Sequence, residues 1–184
     1  MELADKLFMK KIIFVLFLFL PVFCFAQNKN ALTHFWSIPW GLPAERVQAI
    51  LEERGLEPFQ EENVLIAEAL YEGENAVMVL LFNRANRFHS GNVIYLSDAG
   101  NVMSRYEHYR FVLARRYCGP NTAVEFYEEP FIKGDGRVIE AISTENAFFF
   151  TKWEFGNGCL ASVAIFSSLD VALSFSNPAF ADGN

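Results

Sequence analysis

Three histidines, two cysteines beyond residue 26 and three pairs of adjacent glutamates are the side chains of this 184-residue chain whose types invite chemistry. His34, His89 and His108 lie far apart, and none falls in the His-x-x-x-His or His-Glu-x-x-His spacing that sets two imidazoles on one helix face for zinc. His89 and Ser90 are neighbours on an expected strand, so their side chains point to opposite faces and do not form a base and nucleophile pair. Glu52-Glu53, Glu61-Glu62 and Glu128-Glu129 have the composition of an acid and base flanking a glycosidic bond, but adjacent glutamates ordinarily form a solvated surface. Asp135 stands in Gly134-Asp135-Gly136, and without further carboxylates at ligand spacing it reads as a turn residue rather than an ion ligand. No Gly-x-Ser-x-Gly elbow, P-loop or dinucleotide fingerprint occurs. The expectation is therefore a protein with no catalytic, cofactor-binding or metal-binding set, and no cofactor.

The beginning of the chain states where such a protein goes. Lys10 and Lys11 precede an apolar run from Ile12 to Leu20, followed by Pro21 to Ala26 and polar Gln27-Asn28-Lys29-Asn30. A charged start, a short apolar stretch and a small residue at Ala26 before Gln27 form the pattern of a secretory signal peptide over residues 1–26. The apolar segment spans about 15 residues, against the roughly 20 a membrane helix needs. The open alternative is that the segment is kept as an anchor. With the signal removed, no stable membrane span is expected, and the location is periplasmic or secreted.

Residues 1–26 carry three bases and two acids, which leaves 12 bases against 20 acids, a net charge of −8. An acidic domain repels phosphate backbones, and no basic aromatic stripe offsets it, so nucleic acid is not an expected partner. Charge is also segregated. From Glu45 to Glu74 there are nine acids with only Arg46 and Arg54, whereas from Arg84 to Arg116 six arginines meet only Asp98 and Glu107. Either the two regions pair with each other, or they form a dipolar face that orients a charged partner.

Beyond the signal, Cys118 and Cys159 remain. In an oxidising compartment an even pair reads as a disulfide. It would close a loop of about 42 residues, worth on the order of 4 kcal/mol in the chain-entropy view. The other reading is two buried thiols packing as small hydrophobes.

The elements that must position these residues follow from periodicity. Residues 27–34 read as a flexible lead-in, and Phe35 to Trp40 as an edge strand or extended segment broken by Pro39. Pro43 opens a helix from Ala44 to Arg54, with Val47, Ile50 and Leu51 on one face and Gly55 as its stop. Val64–Tyr71, Ala76–Phe82 and Phe88–Leu96 alternate as strands. A second helix is expected from Val102 to Tyr117, with Tyr106, Tyr109, Leu113 and Tyr117 on one face. Five further strands are expected at Val124–Ile132, Val138–Ser143, Ala147–Phe155, Leu160–Phe166 and Val171–Phe175, then a tail from residue 177 to 184.

A helix followed by strands, twice, predicts one α+β domain over residues 35–176. Its antiparallel sheet would carry two main helices on one face, with halves at 35–100 and 101–176. Phe148-Phe149-Phe150 reads mainly as core. Trp36, Trp40 and Trp153 are candidate interaction anchors should they share an exposed surface.

Trp40-Gly41-Leu42-Pro43-Ala44-Glu45-Arg46-Val47 and the later Tyr117-Cys118-Gly119-Pro120 resemble small exported bacterial domains built from helix-plus-sheet repeats. The families compared are the β-lactamase-inhibitor-like and the outer-membrane-assembly lipoprotein (SmpA/OmlA) ones, although the lipoprotein cysteine signal is missing here. The resemblance implies a non-catalytic module that binds protein or envelope components. The expected function is thus an adaptor or inhibitor with a protein partner. The alternatives are a binding module for a lipid or other apolar small molecule, and a hydrolase with an unrecognised site.

Overall fold

The structure, a computed structural model, describes residues 31–181. The expected signal peptide and its Ala26–Gln27 cleavage point lie outside the described residues. The chain opens with a small hairpin of β1 (His34–Phe35) and β2 (Ile38–Pro39), followed by α1 (Ala44–Glu53). Four strands follow: β3 (Phe59–Glu61), β4 (Val64–Tyr71), β5 (Glu74–Phe82) and β6 (Phe88–Tyr95). Then come α2 (Val102–Tyr117), β7 (Thr122–Tyr127), α3 (Val138–Ser143), β8 (Ala147–Glu154), β9 (Leu160–Ile165) and β10 (Val171–Ser176).

β3 to β10 form one antiparallel sheet in the order β3-β4-β5-β6-β10-β9-β8-β7. From either edge inward, the strands follow the chain order of one half, and β6 and β10 meet in the middle, with Val93 opposite Leu173. The α+β class, the antiparallel sheet and the duplicated helix-then-strands plan are all present. Among the described residues no helix is long and apolar enough to cross a membrane.

Strand alternation separates the two faces of the sheet. Leu65, Ala67, Ala69 and Tyr71 of β4 are buried, as are Met78, Val93, Leu173, Val163 and Trp153 across the sheet. Ala44, Val47 and Leu51 of α1 and Val102, Tyr106, Tyr109 and Leu113 of α2 complete this core. α1 ends in a Schellman motif: Gly55, at φ +77°, donates to Glu52 O, and Leu56 N–H donates to Leu51 O, which satisfies carbonyls the helix leaves open.

Phe35 locks the small hairpin onto the middle of the sheet. It is 1% exposed and packs against Phe175, Phe88 and Tyr71 at ring distances of 5.4, 6.2 and 6.4 Å. Gly91 makes room for it, because a Cβ there would stand 2.4 Å from the Phe35 ring. Just upstream, the Leu32 carbonyl accepts from Trp40 Nε1 at 2.9 Å, Asn157 Nδ2 at 3.1 Å and Cys159 Sγ at 3.1 Å. Leu32, which the sequence places in a flexible lead-in, is buried and ties the start of the domain to both halves.

One expected strand is a helix. Val138–Ser143 forms α3, with Ala141 and Ile142 buried. A six-residue segment rich in β-branched side chains is too short for its period to separate strand from helix. The flanking polar bonds decide it. Asp135 accepts from the Ile132 and Arg137 N–H groups just before the helix, while Ser143 and Thr144 hydroxyls bond back to Ile139 O and Glu140 O. Gly134-Asp135-Gly136 is thus the turn that leads into α3. The Arg137 N–H bond comes first among the causes holding Asp135 below the usual carboxylate range.

All six tyrosines have phenol groups pushed above the ordinary value of 10.0, with burial the leading cause each time; Tyr71 and Tyr127 reach about 12. A raised value in the folded state means that the stabilisation is complete below about pH 10 and is lost as the pH climbs through the folded values. The chain should therefore unfold in alkali. Phenolate absorbance and loss of the circular-dichroism signal should rise together above about pH 10. Phenolate forming at the ordinary value with native circular dichroism would contradict this burial.

Candidate functional site

The residues singled out by sequence fall in different places. Trp153 is fully buried and Trp40 is 8% exposed. Trp40 stacks on Phe88 at 5.0 Å and Trp153 donates from Nε1 to Cys118 O at 2.9 Å. Both are core residues held by their indole N–H, which corrects their reading as interaction anchors. Trp36 alone reaches the surface, half-buried, with the Arg54 guanidinium 4.5 Å above its ring.

The expected bridge between Cys118 and Cys159 is not formed, and both are free thiols. Cys159 is fully buried with its sulfur turned to Leu32 O, and burial pushes its thiol up. Cys118 is partly exposed at the end of α2, at φ +62° and ψ −166°, a backbone region almost confined to glycine. An alkylating reagent should therefore label Cys118 in the folded protein and Cys159 only after denaturation. Peptide mass mapping reads this directly, and labelling of neither thiol until a reductant is added would restore the disulfide.

His34 is exposed and bonded to Thr33, His108 is exposed, and His89 is half-buried with its imidazole pushed down by burial. The three share no site. Glu52-Glu53, Glu61-Glu62 and Glu128-Glu129 are all exposed surface. Among the described residues no group of three or more His, Cys, Asp or Glu side chains is placed to hold a metal ion. The segregated charges meet twice: Arg105 pairs with Glu74 at 3.1 Å and Arg116 with Glu72 at 2.5 Å.

Two features remain that bring side chains together. The first is a cavity of about 700 Å³ between the β1–β2 hairpin, the end of α2 and the sheet. Phe35, Trp36, Tyr71, Tyr117, Phe155 and Phe175 supply its apolar wall, and His34, Glu72, Arg116 and Cys118 its polar groups. Eight described residues other than glycine have positive φ, and four of them, Trp36, Ser37, Glu72 and Cys118, line this cavity. Trp36-Ser37 and Glu72-Gly73 occupy tight hairpin turns where Asn and Gly are the usual choice. Strain of this kind collects at functional sites.

The second feature is the face of the sheet away from the helices. Strand register sets Val77, Ile94, Ala172, Ala164, Phe150 and Val124 in one row across six strands. The next row is Ile66, Val79, Asn92, Ser174, Ser162, Lys152 and Thr122. At the β7 end, Phe126 and Phe148 are 55% and 47% exposed, and Phe148 stacks on Phe150 at 5.8 Å. The run Phe148-Phe149-Phe150 is therefore only partly core: period 2 buries Phe149 and sends its neighbours to the open face. The signal was available, since Lys152 and Glu154 share their parity.

β7 itself is an edge strand, exposed at Thr122, Ala123, Val124, Glu125 and Phe126. No protein-family profile, curated protein or solved structure matches the chain.

Proposed function

We propose that the chain is an exported binding module that holds a protein partner against the open face of its sheet. One observation carries this reading. An eight-stranded sheet keeps an apolar row and an aromatic cluster on the side that none of the described helices covers. Neighbouring strands lie about 4.8 Å apart, so the face measures roughly 34 Å by 20 Å. That is on the order of 700 Å², close to the ~800 Å² each partner contributes to a standard interface. An apolar strip and an aromatic cluster bordered by polar groups on an open face are the make-up of an interaction site. The parallel row of Asn92, Ser162, Ser174 and Lys152 supplies polar groups to fix orientation.

The partner is accordingly a protein surface with a central apolar strip and hydrogen-bonding groups to one side. Replacing Phe126 and Phe148 together by Thr preserves strand preference and touches no buried contact. The expected result is a melting temperature within about 2 °C of the parent. With it should go the loss of the stoichiometric partner recovered by mild cross-linking of the envelope and mass spectrometry. The same partner recovered equally from parent and variant would overturn the assignment.

A further inference from the structure

We infer that the cavity under the β1–β2 hairpin is a binding site for a small amphiphile carrying one anionic head, a carboxylate, sulfonate or phosphate, on a flat or chain-like apolar body. At about 700 Å³ it lies inside the range of small-molecule sites, and its make-up is that of such sites: an apolar wall with a few convergent polar groups. Phe35, Phe155 and Phe175 are buried side chains that the cavity's lining shares with the core, so this wall is preformed.

The head is assigned by what surrounds Arg116. Its side chain is 41% exposed at the cavity mouth and gives Nη2 to Glu72. The side chains of Tyr71 and Tyr117 line the same cavity as Arg116, and the guanidinium charge works on both phenols against the upward push of burial. A phenol beside a guanidinium keeps its own proton to donate. Arg116 still has N–H groups beyond the one given to Glu72, because a guanidinium carries five donors. Glu72 is the one carboxylate among the described lining residues and its charge is offset by Arg116, while the remaining Arg116 N–H groups and the Ser37, Tyr71 and Tyr117 hydroxyls give the cavity a surplus of donor capacity. Anion oxygens satisfy it, and charged acceptors make the stronger bonds.

The backbone agrees with this assignment. Glu72, at φ +51°, sits in a turn where Asn or Gly would be relaxed, and in that place its carboxylate fixes the guanidinium. Trp36, at φ +47°, likewise puts an indole into the cavity wall from a turn position.

Two dyes of nearly the same body separate head from body: 1-anilinonaphthalene-8-sulfonate, and N-phenyl-1-naphthylamine, which lacks the sulfonate. Binding is followed by dye fluorescence on the protein as its host processes it, in the Phe126→Thr/Phe148→Thr background so that the sheet face offers the dyes no aromatic cluster. The sulfonate dye is expected to bind one to one, at least tenfold tighter than the uncharged dye. Arg116→Gln should weaken the sulfonate dye about tenfold and leave the uncharged dye unmoved. Tyr117→Phe, which leaves the Arg116–Glu72 pair in place, should weaken the sulfonate dye several-fold. Arg116→Lys, which keeps the charge and loses the fork, should fall between parent and Arg116→Gln. Equal affinity for the two dyes, sulfonate binding indifferent to Arg116→Gln and Tyr117→Phe in a folded protein, or no binding of either dye would overturn the inference. None of these results depends on whether a protein partner uses the sheet face.

Discussion

Gly91→Ala is expected to destabilise the fold by about 2–3 kcal/mol, at the upper end of what a single added methyl does in a packed interior. The new Cβ would stand 2.4 Å from the Phe35 ring. Phe88, Phe175 and Tyr71 pack around that ring at the centre of the sheet, so it moves only by disturbing three aromatic contacts. In a domain of this size the loss corresponds to a fall of roughly 4–12 °C in melting temperature. Phe35→Ala alone should cost about 3–5 kcal/mol. The decisive result is the combination: once Phe35 is truncated, Gly91→Ala should cost well under 1 kcal/mol, because the atoms it would strike are gone. Additive losses in the double-mutant cycle would show that Gly91 is required for some reason other than seating Phe35.

Trp153→Ala is the second large effect, expected at about 4 kcal/mol, against a total stability on the order of 5–15 kcal/mol for a domain. Trp153 is fully buried, and its indole N–H supplies the bond to Cys118 O where α2 ends. Truncation leaves a cavity and removes that bond together. Trp153→Phe separates the two contributions, because it keeps much of the ring volume and loses the donor. Its cost should be about 1–3 kcal/mol, from a hydrogen bond lost at a partly buried acceptor and the smaller ring. Chemical denaturation of the three proteins gives the comparison. A Phe variant as damaged as the Ala variant would mean that the bond to Cys118 O, rather than packing, dominates at this position.

Regular elements were legible wherever one face is buried and the other is wet. Leu65, Ala67, Ala69 and Tyr71 alternate without interruption, and β4 has the bounds that this alternation predicts. Tyr106, Tyr109 and Leu113 place α2 in the same way. α3 was misread because a single short turn of β-branched Val138, Ile139 and Ile142 resembles a strand, although Val138, Ala141 and Ile142 stand at helical spacing, and β3 went unseen because all three of its residues are exposed and show no alternation.

The tryptophans were misjudged for another reason. Whether an indole is an anchor or a core residue depends on whether its N–H finds an internal acceptor, and Leu32 O and Cys118 O are acceptors that only the folded chain reveals. The cavity had no linear signature at all. Its residues come from five separated places, positions 31–37, 71–72, 116–118, 155 and 175, with ordinary sequence at each. Only unusual residues in tight turns, Trp36 and Glu72 at positive φ, mark it, and turn type is not visible until strand pairing is known.

The two edges of the sheet are unequal, and this limits how copies of the chain can add to one another. β3 is three residues long and ends at Glu61-Glu62, so one margin is short and acidic. β7 is six residues long, and its one acid, Glu125, is neutralised by Lys133 at 2.5 Å. An unguarded strand of that length is a template for further pairing, while a short charged one is a stop. A molecule with a template at one end and a stop at the other cannot propagate. Joining two β7 strands uses up both templates and presents only stops, so growth by strand addition terminates at a closed pair instead of running on into a fibre.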